Sequence, residues 1–217
     1  TIKDNSLIVA TQGRSIWIID DLTVLHQLTQ STDEVKLYKP KDSYRMRGSG
    51  GRKSLTAGTN LPNGVIIHYY LPSYDGENDE VKLSIHSEDG ELVKEFSNKN
   101  KENSIEVKKG GNSFVWNMKY PGAKRLDNMV LWSADFSGAK AVPGDYLVKL
   151  TVNGSELMQK FTILKDPTSE GTIDDIKEQF DFVNEINAVV DKAHKAIQNI
   201  RNIKTDLSKF QTEYSEN

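Results

Sequence analysis

The chain has 217 residues and, at 24.4 kDa, is long enough to bury a real core as one large or two small domains. It contains no cysteine, which excludes disulfide staples, cysteine-based zinc knuckles and thiolate catalysis. Its 28 basic and 31 acidic residues leave a net charge of −3, no electrostatic case for nucleic acid, and its apolar runs, such as Leu7-Ile8-Val9-Ala10, fall far short of the roughly 20 residues that span a bilayer.

The chain starts at Thr1 with no basic-then-apolar leader, which reads as a cut boundary. Residues 1–22 hold two apolar runs, Ser6-Leu7-Ile8-Val9-Ala10-Thr11 and Ser15-Ile16-Trp17-Ile18-Ile19, separated by Gln12-Gly13-Arg14. The pattern predicts a β-hairpin. Both strands are apolar at nearly every position, as in strands covered on both faces, and a lone hairpin is marginal in water. The expectation is a sheet whose other strands lie upstream. Residues 23–63 read as a connector: a short helical turn near Leu22–Leu28, an extended piece at Val35–Tyr38, then a glycine-rich stretch over 48–64 whose composition opposes regular structure.

Residues 64–166 repeat apolar and polar positions with period two. One face carries Val81, Leu83 and Ile85, then Phe114, Trp116 and Met118, then Tyr146, Val148, Leu150 and Val152, then Phe161 and Ile163. Asp89-Gly90, Gly110-Gly111, Pro143-Gly144 and Asn153-Gly154 punctuate these runs. About 100 residues with six or seven short strands fit an immunoglobulin-like β-sandwich. The fold class is therefore mainly β: this sandwich, preceded by the hairpin and followed by a helix.

From 167 to 217 the period changes. Thr172 with Asp175 three residues on marks a helix start just after Pro167. Apolar side chains then recur every three or four residues from Ile176 through Phe180, Val183, Ile186, Val190 and Ala193 to Ile197, Ile200, Ile203, Leu207 and Phe210, with no glycine or proline after 172. Such a rod exceeds what a small sandwich can cover. It reads as half of a helical hairpin or coiled coil, able to pair with a second copy as a homodimer. Acids dominate its first half and bases its second, the order that the helix dipole favours.

Several stretches resemble the C-terminal region of secreted bacterial β-propeller proteins with sortilin-like BNR repeats, usually labelled glycosyl hydrolases. The residues that carry the likeness are the run from Ala10 to Leu22, Tyr44-Arg45-Met46-Arg47, Asn60-Leu61-Pro62-Asn63-Gly64, the run from Asn112 to Ala123, Pro143-Gly144-Asp145-Tyr146 and Asp166-Pro167. The stretch from Phe114 to Tyr146 is also similar to the immunoglobulin-like domain of the flagellar hook-capping protein. The chain lacks the Asp box that marks a BNR repeat; Ser87-Glu88-Asp89-Gly90 comes nearest and reads better as a turn. The resemblance implies a propeller-blade hairpin at 1–22, an upstream propeller in the same polypeptide, and a secreted, periplasmic or cell-surface location.

Candidate chemistry is sparse. Asp20 and Asp21 could form the carboxylate pair of a glycosidase, but adjacent strand residues point to opposite faces, so capping and ion pairs with Arg14 at the propeller edge fit them better. Trp132, Tyr120 and Tyr74 are candidates for stacking on sugar rings, whereas Trp116 alternates in phase with core residues. Arg45 and Arg47 could meet an anionic glycan or an acidic protein surface. His26, His68, His86 and His194 show no metal-ligand spacing, and no nucleophile or cofactor motif is present. The expectation is a non-catalytic accessory region that stabilises a propeller and contacts a protein or glycan, with no metal or cofactor. Two alternatives stand beside it: part of a glycosyl hydrolase whose active site lies mainly in the propeller, or a carbohydrate-binding module.

Overall fold

The computed structural model describes residues 1–3, 5–13, 15–28, 33–46, 61–130, 133 and 135–215. In chain order its elements are β1 (Ile2–Lys3), β2 (Ser6–Ala10), β3 (Ile16–Ile19), α1 (Thr23–Gln27), β4 (Lys36–Leu37), β5 (Ser43–Tyr44), β6 (Val65–Leu71), β7 (Val81–Ser87), β8 (Leu92–Ser97), β9 (Gly110–Trp116), β10 (Gly144–Val152), β11 (Ser155–Leu164) and α2 (Ile173–Ser215). The protein is mainly β, a sandwich followed by a long helix. It divides into two compact units: residues 1–118 with 143–170, and residues 119–142 with 171–217.

The first unit holds three sheets, ordered β1-β2-β3, β4-β6-β9 and β5-β11-β10-β7-β8. The last two form the sandwich, three strands against a sheet in which β11, β10, β7 and β8 are antiparallel and the edge strand β5 runs parallel to β11. Alternation decides which side chains meet between the sheets. Val81, Leu83 and Ile85 of β7, Val148 and Leu150 of β10, and Val65, Ile67 and Leu71 of β6 are all fully buried. Trp116 closes β9 at 0% exposure, its ring 5.9 Å from that of Tyr146 and 6.2 Å from that of Phe161 across the core. Burial on this scale is the main force holding the sheets together.

Turn chemistry follows the letters. Asn153 (φ 49°) and Gly154 (φ 87°) both take left-handed backbone, which matches a two-residue hairpin to the right-handed twist of β10 and β11. Ser87–Glu91 makes the β7–β8 turn, with Gly90 at φ 84° and its N–H donating to the Ser87 carbonyl. Longer loops are tied by amide side chains. Asn98 accepts from Val81 N–H and donates to the Asp79 carbonyl, while Asn112 accepts from Lys108 N–H and donates back to its carbonyl at 2.7 Å. Each amide satisfies backbone groups as a strand neighbour would.

The hairpin pairs Leu7 with Ile19 and Ala10 with Ile16. Its second strand is exposed at every position, Trp17 at 66%, rather than covered on both faces as the letters predict. Among the described residues the sheet continues past β2 only to β1, and nothing buries the β3 side chains.

In the second unit, α2 rises about 65 Å at 1.5 Å per residue. It opens on a reciprocal cap, as Thr172 and Asp175 predict: the Asp175 carboxylate accepts from the Thr172 N–H and hydroxyl, each at 2.7 Å, and the Thr172 hydroxyl accepts from Asp175 N–H. These donors hold the Asp175 carboxyl below its ordinary range. Tyr120, Lys124, Asp127 and Phe136 of the 119–142 segment contact this helix. Gly122 and Gly138 let two stretches of that segment touch, for a side chain at Gly122 would lie 1.7 Å from the Phe136 carbonyl oxygen and one at Gly138 2.0 Å from that of Tyr120.

Candidate functional site

Asp21 lies just before α1. One of its carboxylate oxygens accepts from Asn5 Nδ2, from Thr23 N–H and from the Thr23 hydroxyl, at 2.9, 2.9 and 2.5 Å. Asp20 lends its backbone carbonyl to the Ser6 hydroxyl and is exposed. The two carboxylates thus have different surroundings, and both residues lie past the end of β3 rather than on a strand. Arg14, their suggested ion-pair partner, lies outside the described residues, as do Arg47, Trp132 and most of the glycine-rich stretch.

The aromatic candidates separate in the same way. Tyr74 is half-buried and its hydroxyl accepts from Asn98 Nδ2 at 3.1 Å. Tyr120 belongs to the second unit, where its ring meets the edge of Phe180 at 4.8 Å. Tyr69 and Trp116 are core residues, and burial pushes the Tyr69 hydroxyl up to about 12. Arg45 donates its backbone N–H to Leu164, and partial burial lowers its guanidinium against the opposing influence of Tyr146.

Among the described residues, two open cavities of the first unit border the candidate side chains. One of about 630 Å³ is bordered by Val24, Tyr38, His68 and Tyr70; burial lowers His68, and Glu106 also lines its wall. The other, of about 440 Å³, includes Asp21, Asp42, Tyr44 and Asn63. Asp42 there accepts from Thr162 N–H, so its carboxylate, like that of Asp21, fixes backbone. Among the described residues, no three His, Asp or Glu side chains are grouped to hold a metal ion.

The feature that stands out is α2. Its apolar residues form two stripes, not the single one that the spacing suggests. The first runs through Ile176, Phe180, Val183, Val190 and His194, all buried or half-buried, and meets the 119–142 segment at Phe180 and His194. There Lys124 is held at both backbone groups: its N–H donates to Asp191 at 2.7 Å and its carbonyl lies 2.6 Å from Nδ1 of buried His194, which must therefore carry a proton. Phe136 meets the edge of the His194 ring, and Arg201 donates to the Asp127 carbonyl at 2.8 Å.

The second stripe lies about 120° around the helix at 100° per residue. It passes through Phe182, Ile186 and Val189, then Ala193 and Ala196, then Ile200, Ile203, Leu207, Phe210 and Tyr214. The steps alternate four and three without a slip across 33 residues, which is the a/d pattern of a coiled coil. Every one of these side chains is exposed, Val189 and Ile200 at 64% and Tyr214 at 70%. Opposite them, the hydroxyls of Thr205, Ser208 and Thr212 bond back to helix carbonyls. The spacing list read from the letters merges both stripes because positions such as Val183 and Ile186, or Val190 and Ala193, are three apart yet belong to different faces.

No protein-family model matches the chain, and no curated protein matches it. No helix among the described residues is long and apolar enough to cross a membrane.

Proposed function

We propose that the chain is a non-catalytic accessory and interaction region of a larger secreted or cell-surface β-propeller protein. The hairpin docks on the propeller, the sandwich is a rigid spacer that can meet protein or glycan, and the outer stripe of α2 pairs with a second copy of the chain. The observation that carries this reading is the uncovered apolar strand β3, with Ile16, Trp17, Ile18 and Ile19 exposed at 65, 66, 56 and 48%. A contiguous patch of this kind on a soluble protein marks a surface that another structure covers. The carboxylates of Asp21 and Asp42 and the hydroxyl of Tyr74, by contrast, are spent on holding backbone and loops.

The double variant Trp17→Asp, Ile18→Asp tests the docking. In residues 1–217 alone both side chains face solvent, so the melting temperature should hardly change. In the full-length polypeptide each loses about 1.5–3 kcal/mol of apolar burial, so the upstream region should melt several degrees lower. Equal melting of the full-length parent and variant would overturn the proposal.

A further inference from the structure

We infer that two copies of α2 pair antiparallel, in the one register that sets Phe182 of each copy opposite Tyr214 of the other, with the two-fold axis at residue 198. This rests on the reading that the outer stripe pairs with a second copy, and adds its direction and register.

The area is sufficient. Eight large side chains of the stripe are 45–70% exposed; at roughly 100 Å² each they would remove about 800 Å² per copy from water, the half-share of a stable dimer.

The layers are complementary in size. Next to the axis Ala196 meets Ile200 of the second copy and Ala193 meets Ile203; Val189 meets Leu207, and farther out Ile186 meets Phe210. Small faces large at the centre, and the spacing widens smoothly outward. A parallel pair would stack Ala193 on Ala193 and Ala196 on Ala196 between isoleucine and valine layers, leaving two adjacent gaps.

Flanking charges agree in part. Lys192 lies beside Asp206 of the second copy, twice by symmetry, and Asn199 beside Asn199; Glu185 faces Glu213 near the ends, a like pair that salt screens. The 119–142 segment also favours this direction. Its contacts with α2 run from Phe180 to Arg201. An antiparallel partner sets that covered stretch against the bare C-terminal stretch, whereas a parallel partner crowds both covered stretches side by side.

Because the chain lacks cysteine, single cysteines report the register cleanly. Asn199→Cys stands near the axis and should oxidise to a covalent dimer, while Ala193→Cys should not, since its two copies would lie about 15 Å apart along the helices. Lys192→Asp should weaken the dimer about tenfold by removing two attractions and adding two repulsions, and Asp206→Lys in the same chain should restore it. A dimeric mass with cross-linking at Ala193→Cys, or equally at both sites, overturns the register and leaves the pairing intact. A mass of 24.4 kDa at tens of micromolar overturns the pairing itself.

Discussion

The backbone clamp at Lys124 yields a prediction that can be worked from distances. His194 is 6% exposed, and its Nδ1–H donates to the Lys124 carbonyl at 2.6 Å while the ring edge meets Phe136 at 5.5 Å between centroids. His194→Ala removes the bond and leaves a partly buried carbonyl unmatched, about 1–3 kcal/mol, together with an aromatic contact of about 0.5–1.5 kcal/mol. The expected loss is about 2–4 kcal/mol. Asp191→Ala removes the acceptor of an exposed N–H that water can reach, so its loss should be nearer 1 kcal/mol. Because both side chains hold the same residue, the double variant should fall short of the sum by about 0.5–1 kcal/mol. Denaturant unfolding followed by helical circular dichroism measures the first two, and exchange of the Lys124 amide, about fivefold faster in Asp191→Ala, reports the second directly. If His194→Ala changes stability by less than 0.5 kcal/mol, or if the two substitutions simply add, the segment is held by something other than this clamp.

Gly138→Ala should destabilise the second unit by about 3 kcal/mol, since the added carbon would lie 2.0 Å from the Tyr120 carbonyl oxygen and backbone must yield; unfolding of α2 at unchanged denaturant concentration would refute the close approach. Asp21→Ala should cost about 1–2 kcal/mol by removing the acceptor shared by Asn5 and Thr23, whereas Asp20→Ala should stay within about 0.5 kcal/mol. If instead the full-length protein hydrolyses a glycoside and either substitution abolishes turnover, the pair is catalytic. The Asp175 carboxyl is depressed by its bonds from Thr172, so its contribution to stability is complete above the unfolded value of about 3.9 and is lost as pH falls through the folded one. Thr172→Ala should move that carboxyl upward in an NMR titration, and an unchanged titration would mean that the cap is not formed in solution.

What could be read from the letters is what depends on local periodicity or on a single turn. The alternation through Val81, Leu83 and Ile85 finds its partners at Leu150 and Val148 because a strand has only two faces. Asn153-Gly154 and the Thr172–Asp175 cap were equally legible, each being a conformation that few residue types satisfy. The hairpin shows the limit of the same logic. An unbroken apolar run reports that both faces of a strand suit an apolar environment, but not which structure supplies it, and β3 stands exposed in this chain.

The second unit was opaque for a different reason. Residues 119–142 have no period, and their role depends on Gly122 and Gly138 touching across the segment and on Lys124 meeting a helix some 70 residues away. Such contacts leave no local trace. The helix was legible as a helix, yet its two stripes were not separable by spacing, since steps of three and four connect either face to the other. Cover by the 119–142 segment separates them. With Ile176, Phe180 and His194 occupied, the stripe from Phe182 to Tyr214 is left as a strict seven-residue repeat facing solvent. Hydrophobic burial along one face does not require a heptad, because a helix packed on an irregular segment tolerates drift. A repeat held without a slip over 33 residues suits a straight, periodic partner, and among the structures available to this chain a second α2 has that form.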